Sequence, residues 1–196
     1  MRWQARERIL FAMYVNETVF QGRPKQRRSA VEEAIFDRLD ELGISYLRVD
    51  HDHADNMDDC RAVEQVLGSR ICKNLLLCNR QKTDYYLLMM PGDKPFKTRD
   101  LSAQLGVSRL SFAEPDAMAR LLDTTPGSVS ALELLFDREG RVRLVIDREL
   151  LEDTCISGHP GISTSTLRLD REDMLAYLAS TGHTPVYVTL PRPAAE

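Results

Sequence analysis

Lys73 and Asn74 interrupt an otherwise apolar run, Ile71-Cys72-Lys73-Asn74-Leu75-Leu76-Leu77. A continuous apolar run of this length predicts a short strand that is buried on both faces. A lysine in such a strand is costly unless it has a partner or points into a polar pocket, so Lys73 is a candidate functional cation. The alternative is a lysine at the edge of the strand, whose stem lies on apolar surface while its ammonium reaches water.

Two polar loops later in the chain hold further groups that could do chemistry. The first is rich in glycine and hydroxyl groups, Thr124-Thr125-Pro126-Gly127-Ser128-Val129-Ser130. The second contains a histidine, Gly158-His159-Pro160-Gly161-Ile162-Ser163-Thr164-Ser165-Thr166.

Other chemistries are also open from the residues alone. Cys155 stands four residues before His159, but nearness in sequence does not establish a nucleophile and its base. His51 and His53 lie among aspartates, yet they lack a recurring metal-ligand spacing. The four cysteines form no CxxC pair, which is typical of reduced, buried cysteines in a cytosolic protein.

Length and composition limit the class of protein. The 196 residues suit one domain, and 43% hydrophobic with 29% charged residues is an ordinary globular composition. No run of about 18 apolar residues and no secretory signal is visible, so we expect a cytoplasmic protein without a membrane span. The net charge of −4 argues against a broadly basic nucleic-acid coat, and we expect no DNA partner.

The charge is uneven along the chain. The first 28 residues hold seven Arg or Lys against two Glu, a net of +5 that leaves −9 for the remainder. A basic arm on an acidic body can steer a polyanion locally, although a solvated basic tail explains the pattern as well. The segment 1–28 is therefore treated as a basic N-terminal extension.

The surrounding sequence predicts the elements that would position these groups. Ser29-Ala30-Val31-Glu32 has the spacing of a capping box and predicts a helix that ends at Gly43. A second helix is predicted from about Met57 to Leu67, capped by Asp55 or Asn56. The runs at 71–78 and 85–90 predict a β-hairpin around a polar loop.

The other elements follow from the same signals. Helices are predicted at 98–106, at 114–122, at 148–151 and after Asp170. Thr98 is the predicted cap of the first of these helices. Strands are predicted at 44–49, 132–136, 142–146, 164–169 and 186–190. The apolar spacing in residues 1–20 is loosely helical and predicts a segment that docks on the body. Strands and helices without strict βα alternation predict an α+β fold.

Three stretches taken together resemble one family. The Lys73-Asn74 strand, the loop 125–130 and the loop 158–166 stand in the order and at the spacing of freestanding prolyl-tRNA editing proteins, also called the YbaK or prolyl-tRNA-synthetase-associated domain. The residues 101–106 and 110–113 are similar to the family's helix and strand between the first two motifs. The resemblance covers about 29–190, leaves 191–196 as a tail, and is greatest for the alanyl-tRNA(Pro) deacylases.

The resemblance implies a fold and an activity. The fold would be a compact single α+β domain with a central mixed, barrel-like sheet flanked by helices. The activity would be hydrolysis, in trans, of the ester between a wrong amino acid, alanine above all, and the terminal adenosine of tRNA(Pro). The implied partners are the acceptor end of that mischarged tRNA and, as a second candidate, prolyl-tRNA synthetase. No metal and no organic cofactor is implied.

The resemblance also implies roles for individual residues. The Lys73 ammonium would bind a phosphate or the developing negative charge, and Asn74 would orient the substrate. His159 would contact the terminal ribose or position water, or else serve as a structural residue that holds its loop. Backbone amides near Gly127 would approach the aminoacyl group. The substrate-binding residues implied in this way are Gly127, Ser128, Val129, Ser130, Ser163 and Thr164.

Some positions depart from the family pattern. Ala131 stands where relatives often have proline, and Ser163 stands where they often have asparagine. The shorter serine changes the hydrogen bonds available in the site. These departures keep a second function open, a non-catalytic module on the same fold that binds tRNA ends or a synthetase, or that acts as a regulator.

Overall fold

The computed structural model describes residues 13–54 and 57–192. Its strands are β1 (Phe20–Gln21), β2 (Tyr46–Asp50), β3 (Cys72–Cys78), β4 (Tyr85–Pro91), β5 (Ser111–Phe112), β6 (Val142–Asp147), β7 (Cys155–Gly158), β8 (Ser165–Asp170) and β9 (Val186–Val188). Its α-helices are α1 (Ala30–Glu41), α2 (Met57–Leu67), α3 (Thr98–Leu105), α4 (Pro115–Leu122) and α5 (Arg171–Ser180). Two 3₁₀ helices, η1 (Ala131–Phe136) and η2 (Arg148–Glu152), flank β6.

The strands form two sheets. One is antiparallel with the order β1-β2-β8-β7, and the other is mixed with the order β5-β3-β4-β6-β9. A single bridge between Ile71 and Ser157 connects the start of β3 to β7. The prediction of one α+β domain with mixed strands and flanking helices is confirmed, but the described strands do not close into a barrel.

The apolar patterns place the core on both faces of the mixed sheet. Every residue of β4 is buried because the strand lies inside the sheet with packed side chains on either face. The larger core fills the space between the two sheets, where Phe36 of α1 and Leu169 of β8 pack with Leu87 of β4. A smaller core lies on the opposite face beneath α3, and a third joins α2 to β2.

The best-predicted elements are those with a local signal. The Ser29 hydroxyl accepts a hydrogen bond from the Glu32 amide at 3.2 Å, and the Glu32 carboxylate accepts one from the Ser29 amide at 3.1 Å, so the predicted capping box begins α1. The hairpin of β3 and β4 is also confirmed. Helix α2 has the predicted bounds, while its predicted caps, Asp55 and Asn56, lie outside the described residues.

Other predictions were wrong. The segment 132–136 is part of η1 and not a strand, because Ser130 and Glu133 form a second capping box that starts a helical turn. Thr98 is the first helical residue of α3, which has Lys97 as its cap and no side-chain cap bond. Strand β7 had no prediction, since four residues with little alternation give a weak signal.

Residues 13–20 are extended, not helical as predicted. Val15 forms a bridge with His51, and β1 pairs with β2. Arg23 forms ion pairs with three carboxylates of α1, and Arg28 pairs with Asp50. The backbone pairing and these ion pairs together connect residues 13–28 to the body, so this segment docks as predicted. Residues 1–12 lie outside the described part. In the described part of the chain, no helix combines the length and the apolar character needed to cross a bilayer.

Candidate functional site

The first half of β3 has an open edge. Strand β5 pairs with Leu77 and Cys78, and the Ala113 amide donates to the Leu76 carbonyl at 2.9 Å. The second half of this edge of β3 is therefore paired, and the first half is not. Backbone groups alternate in direction along a strand, and the amide and carbonyl of Asn74 therefore point to the same edge, two residues before Leu76. A cleft of about 310 Å³ opens beside this edge.

The cleft brings together residues from all three predicted motifs. Lys73 and Asn74 of β3, Gly127 and Val129 of the first loop, and His159 of the second loop line it. The other predicted site residues, Ser128, Ser130, Ser163 and Thr164, are not among the lining residues. The wall of the cleft is mostly apolar, with contributions from Ala54, Ile71, Leu75, Leu76 and Met118.

The Lys73 side chain is half-buried. Its ammonium donates a hydrogen bond to the backbone carbonyl of Lys94 at 3.2 Å. Burial lowers the pKa of Lys73, and the charge of Asp93 acts in the opposite direction. Because the ammonium is partly withdrawn from solvent, it acts on nearby charge through a lower effective dielectric than that of bulk water, which strengthens its electrostatic effect in the cleft.

Asn74 offers an acceptor to the cleft region. Its amide nitrogen lies 3.5 Å from the Cys72 sulfur, while its side-chain oxygen is buried without a hydrogen-bond partner in the described chain. A buried amide oxygen without a partner is costly, by about 1–3 kcal/mol. A hydrogen-bond donor on a bound molecule would satisfy this oxygen, so Asn74 is suited to orient such a molecule.

The first loop is a tight turn. Thr125, Pro126, Gly127 and Ser128 form a β-turn in which the Ser128 amide donates to the Thr125 carbonyl at 3.1 Å. Gly127 has φ +89°, the left-handed conformation that the third position of a type II turn requires, and proline favours the second position. The Ser128 amide is thus used within the turn, and Gly127 is the residue that the turn presents to the cleft.

The turn is fastened to the core by a buried acid. The Glu133 carboxyl is fully buried and accepts a hydrogen bond from the Ser130 amide at 3.0 Å. The Ser130 hydroxyl accepts from the Leu132 amide at 3.3 Å, so Ser130 is the cap of η1 and not a cleft residue. Burial raises the pKa of Glu133 well above its ordinary value, although the Ser130 amide acts in the opposite direction.

His159 presents a neutral imidazole to the cleft. Its Nδ1 lies 3.0 Å from the carbonyl oxygen of Ser165, which accepts hydrogen bonds and cannot donate them, so Nδ1 carries the proton. Burial is the main reason that its pKa falls to about 4, and His51 lowers it further. Nε2 is therefore the nitrogen with a lone pair, and His159 can accept a hydrogen bond from a bound molecule.

A chain of hydrogen bonds runs behind His159. The Thr166 hydroxyl lies 3.3 Å from Nδ1 of His159 and 2.9 Å from Nε2 of His51, and Nδ1 of His51 donates to the Asp52 carbonyl at 2.6 Å. Because that carbonyl fixes the proton on Nδ1, Nε2 of His51 accepts from Thr166. Burial lowers the pKa of His51 as well. The chain fixes the tautomer of both rings.

The second loop is tied to the segment before α2. The Ser163 hydroxyl lies 3.1 Å from Nδ1 of His53, and the Ser163 carbonyl accepts from the Ala54 amide at 3.1 Å. The Thr164 carbonyl accepts from the His51 amide at 2.9 Å. Ser163 and Thr164 thus shape the loop that carries His159. The described residues include no group of three or more His, Cys, Asp or Glu placed to hold a metal ion.

Two thiols line the cleft, but neither is suited to act as a nucleophile. Burial raises the pKa of both Cys60 and Cys72 to about 11, so the reactive thiolate is scarce at neutral pH. Cys155, the thiol noted near His159, lies on β7 with its sulfur 3.5 Å from the Asp170 carboxylate and does not line the cleft. The arrangement therefore favours chemistry on a bound molecule without a covalent cysteine intermediate.

Several residues at the site had no sequence signal for their role. His51 meets Thr166 and His159 only after strands β2 and β8 pair, because His51 lies more than a hundred residues before both of them. Lys94 supports Lys73 through its backbone carbonyl, which no side-chain pattern reveals. Phe112 also lines the cleft. No role is predicted for it from the sequence, because its exposure at the end of the short strand β5 is visible only in the structure.

Comparisons with known proteins bear on this cleft. A family model described as the aminoacyl-tRNA editing domain matches residues 51–177. The chain is 29% identical over 153 residues to the prolyl-tRNA editing protein ProX of Acetoanaerobium sticklandii, covering 78% of this chain and 93% of that protein. It is 32% identical over 153 residues to the prolyl-tRNA synthetase associated domain-containing protein 1 of Mus musculus, covering 76% and 90%.

A solved structure shares the fold. A crystal structure described as a candidate trans-editing enzyme for prolyl-tRNA synthetase superposes with a TM-score of 0.62 at 15% identity, covering 84% of this chain and all of that one. The matched region of the family model begins at His51 and ends at Tyr177, so it contains β3, the glycine turn and the His159 loop. All of the cleft residues discussed above fall within it.

Proposed function

Because the chain belongs to the aminoacyl-tRNA editing domain family, we propose that it hydrolyses the ester of a mischarged tRNA(Pro), with alanyl-tRNA(Pro) as its main substrate. The observation that carries this proposal is the shared cleft in which Lys73, Gly127 and His159 meet. The reaction takes place in trans, on tRNA released by another enzyme. The relative from A. sticklandii, whose name gives it as a prolyl-tRNA editing protein, supports the choice of tRNA.

The need for such an enzyme has a physical basis. A pocket that binds proline cannot strongly exclude smaller apolar side chains, since one methylene is worth about 1–3 kcal/mol. A second site that admits small side chains then removes the errors. The cleft suits this task because its walls are apolar and its volume, about 310 Å³, is at the small end for ligand sites.

Lys73 stabilises charge in this mechanism. Water attacks the carbonyl carbon of the ester, and negative charge develops on the carbonyl oxygen before the bond to the ribose oxygen breaks. The proton of the water passes to that ribose oxygen, which leaves free amino acid and tRNA with a free hydroxyl. In this proposal the half-buried Lys73 ammonium, which donates a hydrogen bond to the Lys94 carbonyl, stabilises the negative charge or binds the adjacent phosphate.

Asn74 and His159 orient the substrate. The orphan side-chain oxygen of Asn74 accepts from a donor on the aminoacyl group. The neutral imidazole of His159 accepts a hydrogen bond through Nε2, from the free hydroxyl of the terminal ribose or from the attacking water. With a pKa of about 4, His159 is a weak base, so its role is to align that hydroxyl more than to remove a proton.

Gly127 completes the site. Its left-handed turn brings backbone to the cleft with no side chain in the way, so the aminoacyl group approaches the main chain. The partners follow from the substrate: the acceptor end of tRNA(Pro), and prolyl-tRNA synthetase as the enzyme that makes the errors. The name of the mouse relative, a prolyl-tRNA synthetase associated domain-containing protein, supports the second partner.

Two departures from the family pattern, Ala131 and Ser163, left a non-catalytic function as an alternative. Ala131 is buried in the large core at the start of η1. Ser163 bonds to His53 and not to the cleft. Neither Ala131 nor Ser163 lines the cleft, so no specific observation favours binding without turnover.

A deacylation panel tests the proposal. Purified protein is incubated with alanyl-, cysteinyl- and seryl-tRNA(Pro) and with prolyl-tRNA(Pro), and release of the amino acid is compared with the spontaneous rate. The expected result is fast release of alanine and no acceleration for proline. Binding of alanyl-tRNA(Pro) without turnover above the spontaneous rate would instead identify a binding module.

A further inference from the structure

Phe112 is an exposed aromatic residue at the rim of the candidate cleft. It is 58% exposed, and it lines both the cleft and an adjoining surface depression whose other walls include Lys97, Arg99 and Arg109. Its ring makes an edge-to-face contact with Phe96 at 6.1 Å between centroids, which anchors the ring at the surface. We call Phe112, Lys97, Arg99 and Arg109 the rim surface.

The cations of the rim surface are not neutralised by the protein. In the described chain, no carboxylate lies within 4 Å of the Lys97 or Arg109 side chain, and the Arg99 side chain is 85% exposed with one contact to Asp100 at 3.6 Å. Arg23, by contrast, is held by three carboxylates. Three weakly paired cations beside one cleft are notable in a chain whose net charge is −4.

We propose that the rim surface binds the single-stranded 3′ end of the tRNA substrate, with a base stacked on Phe112 and phosphates on Lys97, Arg99 and Arg109. This proposal rests on the proposed function, because the cleft is taken to hold the aminoacyl group at that 3′ end. An exposed aromatic ring flanked by cations is the combination by which proteins bind single-stranded nucleic acid without reading its sequence.

The spacing from the cleft suits this ligand. Phe112 pairs with Leu77 on β3, and Lys73 lies four residues before Leu77 on the same face of that strand. Four residues of strand span about 13 Å, which is at most about four nucleotides, because fully stacked nucleotides rise about 3.4 Å each and an unstacked strand is longer. A strand of nucleic acid that ends near Lys73 therefore reaches Phe112 within its last few nucleotides.

The test measures binding of uncharged tRNA(Pro), so it does not depend on hydrolysis. Intact tRNA is compared with tRNA that lacks the single-stranded 3′ nucleotides, using wild type, Phe112→Leu, Phe112→Tyr and the double variant Lys97→Gln/Arg109→Gln. A second double variant, Arg80→Gln/Arg138→Gln, removes two exposed cations outside the rim surface and is the charge-matched control. Each affinity is measured over a series of salt concentrations.

Wild type is expected to lose affinity roughly tenfold or more when the 3′ nucleotides are removed. Phe112→Tyr should show the same loss, because it keeps an aromatic ring for stacking. Phe112→Leu should lose clearly less affinity than wild type on shortening, because only the phosphate contacts of Lys97, Arg99 and Arg109 are then removed. Lys97→Gln/Arg109→Gln should reduce the salt slope by about 1.4, at about 0.7 for each single-strand phosphate contact, relative to the control. The proposal is overturned if Phe112→Leu keeps the wild-type loss on shortening, or if both double variants have the same salt slope.

The outcome separates the two proposals. If wild type binds the 3′ end through Phe112 but the deacylation panel finds no turnover, the rim surface is correct and the proposed hydrolysis is wrong. If turnover is found but shortening the tRNA costs wild type no affinity, the hydrolysis stands and the rim surface is wrong.

Discussion

The Lys73 ammonium donates a hydrogen bond to the backbone carbonyl of Lys94, 3.2 Å away, and Lys94 is itself almost completely buried. The Lys94 ammonium lies 2.6 Å from Asp147 and 3.1 Å from Glu149. Arg192 binds Glu149 from the outside and, with Lys94, lowers the pKa of that carboxyl to about 2. A buried ion pair thus fixes the backbone that holds the candidate functional lysine.

Replacing Lys73 should remove most of the activity. Lys73→Ala deletes the cation that stabilises the developing charge, and the expected loss in kcat is about 100-fold or more. Lys73→Arg keeps the charge in a different shape and should retain part of the rate. The measurement is deacylation of alanyl-tRNA(Pro) at saturating enzyme. Undiminished hydrolysis by Lys73→Ala would remove the assignment of Lys73.

The Lys94 and Asp147 pair should show strong coupling in stability. Lys94→Met leaves the Asp147 carboxylate buried without its cation, and the expected loss in the free energy of unfolding is about 3–5 kcal/mol. Lys94→Met/Asp147→Asn removes both charges and keeps an acceptor for the Glu149 amide, so it should be more stable than the single variant. Urea unfolding measures both, and equal stability of the two variants would contradict the coupling.

The pH dependence of the reaction should lack a histidine step near neutrality. The native pKa of His159 is about 4, below its ordinary 6.5, because burial disfavours the charged ring. After subtraction of the spontaneous rate, kcat/KM should therefore show no inflection from His159 between about pH 5.5 and 7.5. An inflection near pH 6.5 that disappears in His159→Gln would contradict the neutral, hydrogen-bond-accepting role.

The elements that the sequence predicted well have local causes. The capping box of Ser29 and Glu32 and the apolar runs that form β3 and β4 each act over a few neighbouring residues, and the structure confirms both. The same rule explains an error at η1. A strand is predicted from the apolar run 132–136, but Ser130 and Glu133 have the spacing of a capping box, and this local cap determines the structure.

What could not be predicted depends on contacts between distant residues. The rings of His51 and His159 are 5.8 Å apart although the residues are far apart in sequence, and Thr166 connects them. Burial of Lys94 against Asp147 joins the turn after β4 to the end of β6. The sequence does not distinguish a buried lysine from an exposed one. That Lys94 is only 2% exposed is therefore visible only in the assembled structure.

Glu133 should make the protein less stable as the pH rises. Its native pKa lies above the ordinary value of 4.5 because the carboxyl is buried, so the native state holds a proton that the unfolded state has released. Between these two pKa values the unfolded state binds fewer protons, and the free energy of unfolding falls with pH by up to about 1.4 kcal/mol per unit.

Glu133→Gln isolates this contribution. The amide oxygen still accepts from the Ser130 amide, and the side chain has no proton to release, so the slope from position 133 should vanish. Chemical denaturation at pH 5, 6 and 7 measures the difference between wild type and Glu133→Gln, which should change in favour of the variant as the pH rises. A difference that stays constant with pH would mean that Glu133 is ionised in the native state.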